Sequence, residues 1–235
     1  MQASDIQRLQ WAGPNAGAML YDADAFDAPT PTLLEASGFA TVSTVGEGGR
    51  QAAWFVADTF GEGVLRHYRR GGLIARLSRD RYLWAGESRT RSFAEFGLLV
   101  AMRTLGLPVP QPLAAGYWRH GVTYAGALLT RRIPEVQALA SCLDHAPLED
   151  VARAIVAMHR AGVWHADLNA FNIMVDRRSK VWLLDFDRSR MGGLNDAARE
   201  ANVKRLGRSL RKVAGERGDA VFKQIELHYQ ALWRA

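Results

Sequence analysis

The stretch VWHADLNAFNIMV, residues 163–175, constrains this chain more than any other. It places His165, Asp167 and Asn172 inside an otherwise apolar run. A polar group buried without a partner costs several kcal/mol, so three of them need a shared reason. That reason is a hydrogen-bonded turn or a site. The flanks narrow the choice. PLEDVARAIVAMHRAG (147–162) reads as a helix, with Pro147 in the first turn, acidic residues early, Arg160 late and Gly162 as its stop. FNIMV (171–175) and KVWLLDF (180–186) read as short strands around the turn DRRS.

A helix, then His165-x-Asp167 with Asn172 five residues after the Asp, then a strand running into Asp185-Phe186-Asp187, is the layout of the kinase catalytic loop and its metal-binding segment. The chemistry explains the residue types. A transferred phosphoryl group carries charge on three equatorial oxygens, which Mg²⁺ must neutralise while an acceptor hydroxyl is held in line. Asp167 is the candidate that accepts the hydroxyl proton. Asn172 and Asp185 are the candidate Mg²⁺ ligands, offering the hard oxygens that this ion prefers. His165 is expected to prop the loop by hydrogen bonds. Turn capping by Asp and Asn is the plainer explanation, but it leaves Asp185 at an apolar strand end unexplained.

The front half then gains meaning. FATVSTV (39–45), AAWFVADT (52–59) and GVLRHYRR (63–70) read as a three-strand meander with glycine turns. Gly46 and Gly48 match the start of a G-x-G loop over nucleotide phosphates, without its third glycine; a plain hairpin turn would look the same. Arg66 falls where kinases carry a phosphate-holding lysine on the third strand, with Arg69 and Arg70 as substitutes. SRTRSFAEFGLLVAMRTLG (88–106) is helical in spacing and ends at Gly106 and Pro108. Within it, Glu95 is the candidate partner of the strand cation. Ser92-x-x-Glu95 is also a capping box, although Thr90 or Ser88 offers another cap. LAAGYW and VTYAGALLTRRI read as a hairpin turning at His120-Gly121, the tail from about Asn195 as helix, and residues 1–36 as weak signals broken by Pro14, Pro29 and Pro31.

Charge is concentrated. Residues 66–91 hold eight Arg against Asp80 and Glu87, which is +6 and equals the net charge of the whole chain. Arginine without lysine suits bidentate phosphate binding. Such a basic chain also admits a nucleic-acid binder, which would have no use for Asp167. One cysteine, Cys142, excludes an internal disulfide. No secretion signal and no apolar run of membrane-spanning length are read, so a cytoplasmic protein is expected.

Ala166 replaces the arginine of H-R-D, and no A-P-E follows Asp185, so a compact small-molecule kinase is expected rather than a protein kinase. GGRQAAWFV, VLRHYRRGGL, FAEFGLLVAMRTLGLPVPQPLAAGYW, HADLNAFNIMVD and VWLLDFDRSR cover most of residues 46–190. Through them the chain resembles the 3-deoxy-D-manno-octulosonic acid (Kdo) kinase family of lipopolysaccharide assembly, related to the core heptose kinases. The resemblance implies an α+β, two-lobed protein-kinase-like fold, with a β-rich N-terminal nucleotide-binding lobe (1–132) and a mostly helical C-terminal catalytic lobe (133–235). It implies ATP and Mg²⁺ as cofactors, with phosphorylation of the Kdo 4-hydroxyl on a Kdo-lipid A precursor at the cytoplasmic face of the inner membrane. A heptose kinase or another small-molecule phosphotransferase is the alternative. Tyr68, Leu73, Ile74, Tyr82 and Trp84, interleaved with the arginines, are candidates to meet the membrane edge. Arg188 and Arg190 either grip the Kdo carboxylate or are solvated charges. No nucleic-acid partner and no obligate protein partner are expected.

Overall fold

The computed structural model describes residues 5–45, 53–69 and 80–235. The chain divides into two compact units, one of residues 1–100 and 111–132, the other of residues 101–110 and 133–235.

The first unit is built on an antiparallel sheet. Its strands are β1 (Ile6–Trp11), β2 (Gly17–Asp22), β3 (Thr41–Thr44), β4 (Ala53–Asp58), β5 (Gly61–His67), β6 (Tyr82–Leu83), β7 (Pro112–His120) and β8 (Thr123–Arg131). The spatial order is β1-β2-β7-β8-β5-β4-β3, with β6 also pairing β8. The meander β3–β4–β5 expected from the sequence is present, with Thr41 opposite Ala57 and Asp58 opposite Gly61. The β7–β8 hairpin pairs His120 with Thr123, so its turn is Gly121-Val122, one residue later than expected.

The segment 1–36 is where sequence reading fell short, because it supplies β1 and β2. The prolines lie outside both strands, and β2 pairs with β7 far along the chain. Gly17 sits where a Cβ would come within 2.0 Å of the Tyr117 carbonyl, so the close β2–β7 approach admits only glycine. Met19, Leu34, Leu65, Leu113 and Leu129 are fully buried at the centre of this unit's core.

Helix α1 (Arg91–Thr104) buries Phe93, Phe96, Leu99 and Met102. Thr90 receives the N–H of Phe93 at its start, as one of the expected caps. The helix stops before Leu105, which is exposed. Gly106, with φ of 74°, makes the exit.

The second unit is mostly helical. It contains β9 (Val136–Ala138), α2 (Leu148–Arg160), β10 (Val163–Trp164), β11 (Ile173–Asp176), β12 (Val181–Leu183), β13 (Arg190–Met191) and α3 (Asp196–Arg234). Non-helical backbone at Ala214 and Gly215 breaks α3 into two arms. The arms pack on each other: a Cβ on Gly207 would meet the Phe222 ring, and one on Gly218 would meet the Leu210 carbonyl. Leu206, Leu210, Ile225 and Tyr229 line the buried face of α3, opposite the apolar stripe of α2. A β-rich N-terminal sheet followed by a helical C-terminal unit is the α+β, kinase-like fold anticipated above.

Candidate active site

The loop between β10 and β11 carries the residues singled out first. β10 pairs with β13, and β11 with β12, so both ends of the loop are anchored in short ladders. His165, fully buried, joins three segments. Its Nδ1 accepts the Asp167 backbone N–H at 3.1 Å, and its Nε2–H donates to the Leu184 carbonyl at 2.9 Å. One nitrogen accepts and the other donates, which defines a neutral imidazole. Burial pushes the His165 pKa down, in agreement with that state.

Asn172 closes the loop from the other side. Its Nδ2–H donates to the Asp167 carbonyl at 2.9 Å, and its own carbonyl accepts the Leu184 N–H at 2.9 Å, extending the β11–β12 ladder by one rung. Asn169 contributes too: its Nδ2–H donates to Asp167 Oδ2 at 2.9 Å, while its Oδ1 receives the N–H groups of Phe171 and Asn172. Asp167 and Asp185 are both exposed. Asp185 has φ of 60°, a left-handed conformation that costs a non-glycine residue roughly 1–2 kcal/mol. Such strain is tolerated where surrounding bonds over-determine the backbone, as the bonds at Leu184 do here.

Asn172 and Asp185 are thus brought to the same end of one hairpin. Their donor set, an amide oxygen and a carboxylate, fits Mg²⁺, which binds through one or two carboxylates and leaves room for waters and phosphate oxygens. Among the described residues there is no group of three or more His, Cys, Asp or Glu that would make a closed protein cage for a metal.

Helix α3 reaches the loop at three points. Asn202 Nδ2–H donates to the His165 carbonyl at 2.6 Å, Arg205 Nη1 lies 3.4 Å from Asp167 Oδ1, and Ser209 Oγ accepts the Ala170 N–H at 3.1 Å. Sequence reading assigned none of these, taking the segment from about Asn195 only as a helical tail. The available signal was spacing: residues 202, 205 and 209 fall on one helical face beside the apolar Val203, Leu206 and Leu210.

In the first unit, Arg66 and Glu95 do come together. Arg66 Nη2 lies 2.6 Å from both carboxylate oxygens of Glu95, whose side chain is only 3% exposed. Tyr68 O–H donates to Glu95 Oε2 at 2.6 Å, and the Arg66 guanidinium sits 5.0 Å from the Tyr68 ring centre. Glu95 therefore faces the third strand of the meander rather than forming a capping box. Tyr68, expected at a membrane edge, is buried in this cluster instead. Gly46, Gly48, Arg70, Leu73 and Ile74 lie outside the described residues.

The remaining expectations separate. Arg190 packs over the Trp164 ring at 4.9 Å, and Arg188 is exposed with φ of 60°. Arg91 lies over the Tyr82 ring and donates to its hydroxyl, and Arg119 lies over Trp84.

A β-sheet unit with a buried glutamate paired to a strand cation, followed by a helical unit carrying this loop and hairpin, places the chain in the protein-kinase-like class. Within that class it belongs to the lipopolysaccharide kinase (Kdo/WaaP) family, whose model matches residues 40–229. The chain is 46% identical over 228 residues, 95% of its length and 90% of the relative's, to a 3-deoxy-D-manno-octulosonic acid kinase of Stenotrophomonas maltophilia strain R551-3. It is 50% identical over 187 residues to a protein of the same name from Xylella fastidiosa strain M23, covering 77% and 75% of the two chains. A third, from Xanthomonas campestris pv. campestris strain B100, is 45% identical over 231 residues, covering 95% and 90%. The resemblance read from the sequence is borne out.

Proposed function

We propose that this chain is an ATP-dependent sugar kinase that phosphorylates Kdo, at its 4-hydroxyl, on a Kdo-lipid A precursor in lipopolysaccharide biosynthesis. The observation that carries this reading is the 46% identity over 95% of the chain to a protein named for that activity. The loop geometry supports the chemistry. Asp167 is the residue that takes the acceptor hydroxyl proton, held by His165 through its backbone and by Asn169 through its carboxylate. Asn172 and Asp185 hold Mg²⁺. When bound, the ion neutralises charge on the nucleotide phosphates.

The first unit is assigned to the nucleotide. Arg66 binds ATP phosphate, Glu95 fixes its direction, and Gly46 and Gly48 contribute to holding the nucleotide. Burial of Glu95 supports this division, because a carboxylate is seldom buried unless a cation and a hydroxyl satisfy it. The 1–132 and 133–235 lobes then divide nucleotide binding from catalysis.

The enzyme acts on the cytoplasmic face of the inner membrane as a peripheral protein. Among the described residues no helix is long and apolar enough to cross a membrane. Attachment through the arginines of residues 66–91 is consistent with a phosphorylated, lipid-anchored acceptor.

The test is transfer of label from γ-labelled ATP, with Mg²⁺, to a Kdo-lipid A precursor and separately to a heptose-bearing core, followed by phosphorus NMR of the product. Label on the Kdo 4-hydroxyl alone supports the reading. Label on heptose alone replaces it with the heptose-kinase alternative.

A further inference from the structure

Asn202 sits in the second turn of a highly charged helix and is 1% exposed. An unsatisfied buried amide would cost about 1–3 kcal/mol, so its hydrogen bonds account for its presence. Two of them lead to the loop. Nδ2–H donates to the His165 carbonyl at 2.6 Å, and Oδ1 receives the His165 backbone N–H at 3.3 Å. One side chain therefore satisfies both main-chain groups of the residue that supports Asp167. Those groups are buried, and a loop supplies no ladder partner for them.

A second buried group fixes which way the amide points. His159 Nε2 lies 3.1 Å from Asn202 Oδ1, so Nε2 must carry the proton it donates. Its Nδ1 then accepts from the Tyr229 hydroxyl at 2.8 Å, and the Tyr229 oxygen accepts from Arg199 Nη1 at 3.2 Å. Arg199 is tied to Asp196 in the first turn of α3. Donors run from Arg199 to Tyr229 to His159 to Asn202 and on to the His165 carbonyl, while the His165 N–H returns to Asn202 Oδ1. Reversing the Asn202 amide would set its NH₂ against both the His165 N–H and the His159 N–H, so the chain of donors permits one orientation.

We infer that Asn202 is a positioning residue for the phosphoryl transfer, with His159 holding its amide in register. It sets the backbone of His165 and, through the His165 ring, the placement of Asp167 and of the strand end before Asp185. This inference rests on the reading of Asp167 as the base. It assigns to α3 a role in activity that neither the loop's own sequence nor its motif carries.

The test uses the full chain and two variants. Asn202→Asp keeps the Oδ1 acceptor that serves His165 N–H and His159 Nε2–H but removes the donor to the His165 carbonyl. His159→Phe keeps a planar aromatic ring but removes the donor to Asn202 Oδ1. Three quantities are measured well below each variant's melting temperature: kcat with the Kdo acceptor, KM for ATP, and amide hydrogen exchange across residues 163–172. Misplacement of a reacting group by about 1 Å costs about a hundredfold in rate, so kcat of Asn202→Asp should fall about 10–100-fold. His159→Phe should lose about 3–10-fold by the same logic, with exchange faster in that segment and KM for ATP within about twofold for both. A purely structural role would leave kcat of the folded fraction and the loop's exchange unchanged. Wild-type kcat in either folded variant overturns the inference; should Asn202→Asp fail to fold, His159→Phe decides it. Absence of transfer by the unmodified protein would instead count against the kinase reading itself.

Discussion

His165 and Leu184 are joined by a single hydrogen bond, Nε2–H to carbonyl at 2.9 Å, and that bond ties the loop of Asp167 to the backbone beside Asp185. The same ring receives the Asp167 N–H. His165 thus holds the candidate base and one candidate metal ligand in fixed relation without touching either carboxylate. His165→Ala should lower kcat about a hundredfold and destabilise the fold by about 2–4 kcal/mol, through lost packing and two orphaned backbone groups. Steady-state kinetics with thermal unfolding checks both. Unchanged kcat at reduced stability would assign His165 to folding alone.

In the first unit the prediction concerns rank. Arg66→Ala should raise KM for ATP more than Arg69→Ala, because only Arg66 is placed by the buried Glu95. Glu95→Gln should share the phenotype, and double-mutant kinetics should show the two non-additive. The opposite ranking would move the phosphate-holding role to Arg69.

Stability should fall in mild acid. Burial pushes the His159 pKa down to about 4, against an unfolded value of about 6.5. Arg199 and His165, both facing it, act in the same direction, while the bond to Asn202 opposes them. Below the unfolded pKa the unfolded chain binds the proton that the folded chain refuses. The contribution is therefore complete above about pH 6.5 and is lost as pH falls towards 4, on the order of 3 kcal/mol. His165, also lowered, adds in the same sense. Chemical denaturation between pH 7.5 and 4.5 measures this, and His159→Phe should flatten the slope.

The arms of α3 meet at a position with no room. A Cβ on Gly218 would lie 2.0 Å from the Leu210 carbonyl, so Gly218→Ala forces the arms apart. The cost of such overpacking is about 1–3 kcal/mol, a drop in Tm of roughly 2–12 °C for a chain of this size. Gly193→Ala, which meets nothing within 4 Å but has φ of 66°, is the control for backbone strain alone.

The geometry of the candidate loop was legible because its determinants are local. His165, Asp167, Asn172 and Asp185 span two short strands and one tight turn, and the motif fixes their spacing. Arg66 and Glu95 were legible as a pair because the strand and the helix each declared themselves by period. Strands β1 and β2 were not, because β2 is buried on both faces and its partner β7 lies some ninety residues away. Asn202 was hidden for a related reason. In EANVKRLGRSLRK it reads as one more polar residue on a solvated helix, and only tertiary contact with His165 and His159 shows it to be buried. Local patterns reveal a site's reacting residues more readily than the long-range contacts that place them.

The most direct measurement is single-turnover transfer from γ-labelled Mg·ATP to Kdo-lipid A precursor, comparing the unmodified protein with Asp167→Asn. The account predicts transfer slowed by about 10²–10⁴-fold in the variant, with ATP binding and melting temperature close to those of the parent. Equal transfer rates in the two proteins would contradict it, and would remove Asp167 from the centre of the reaction.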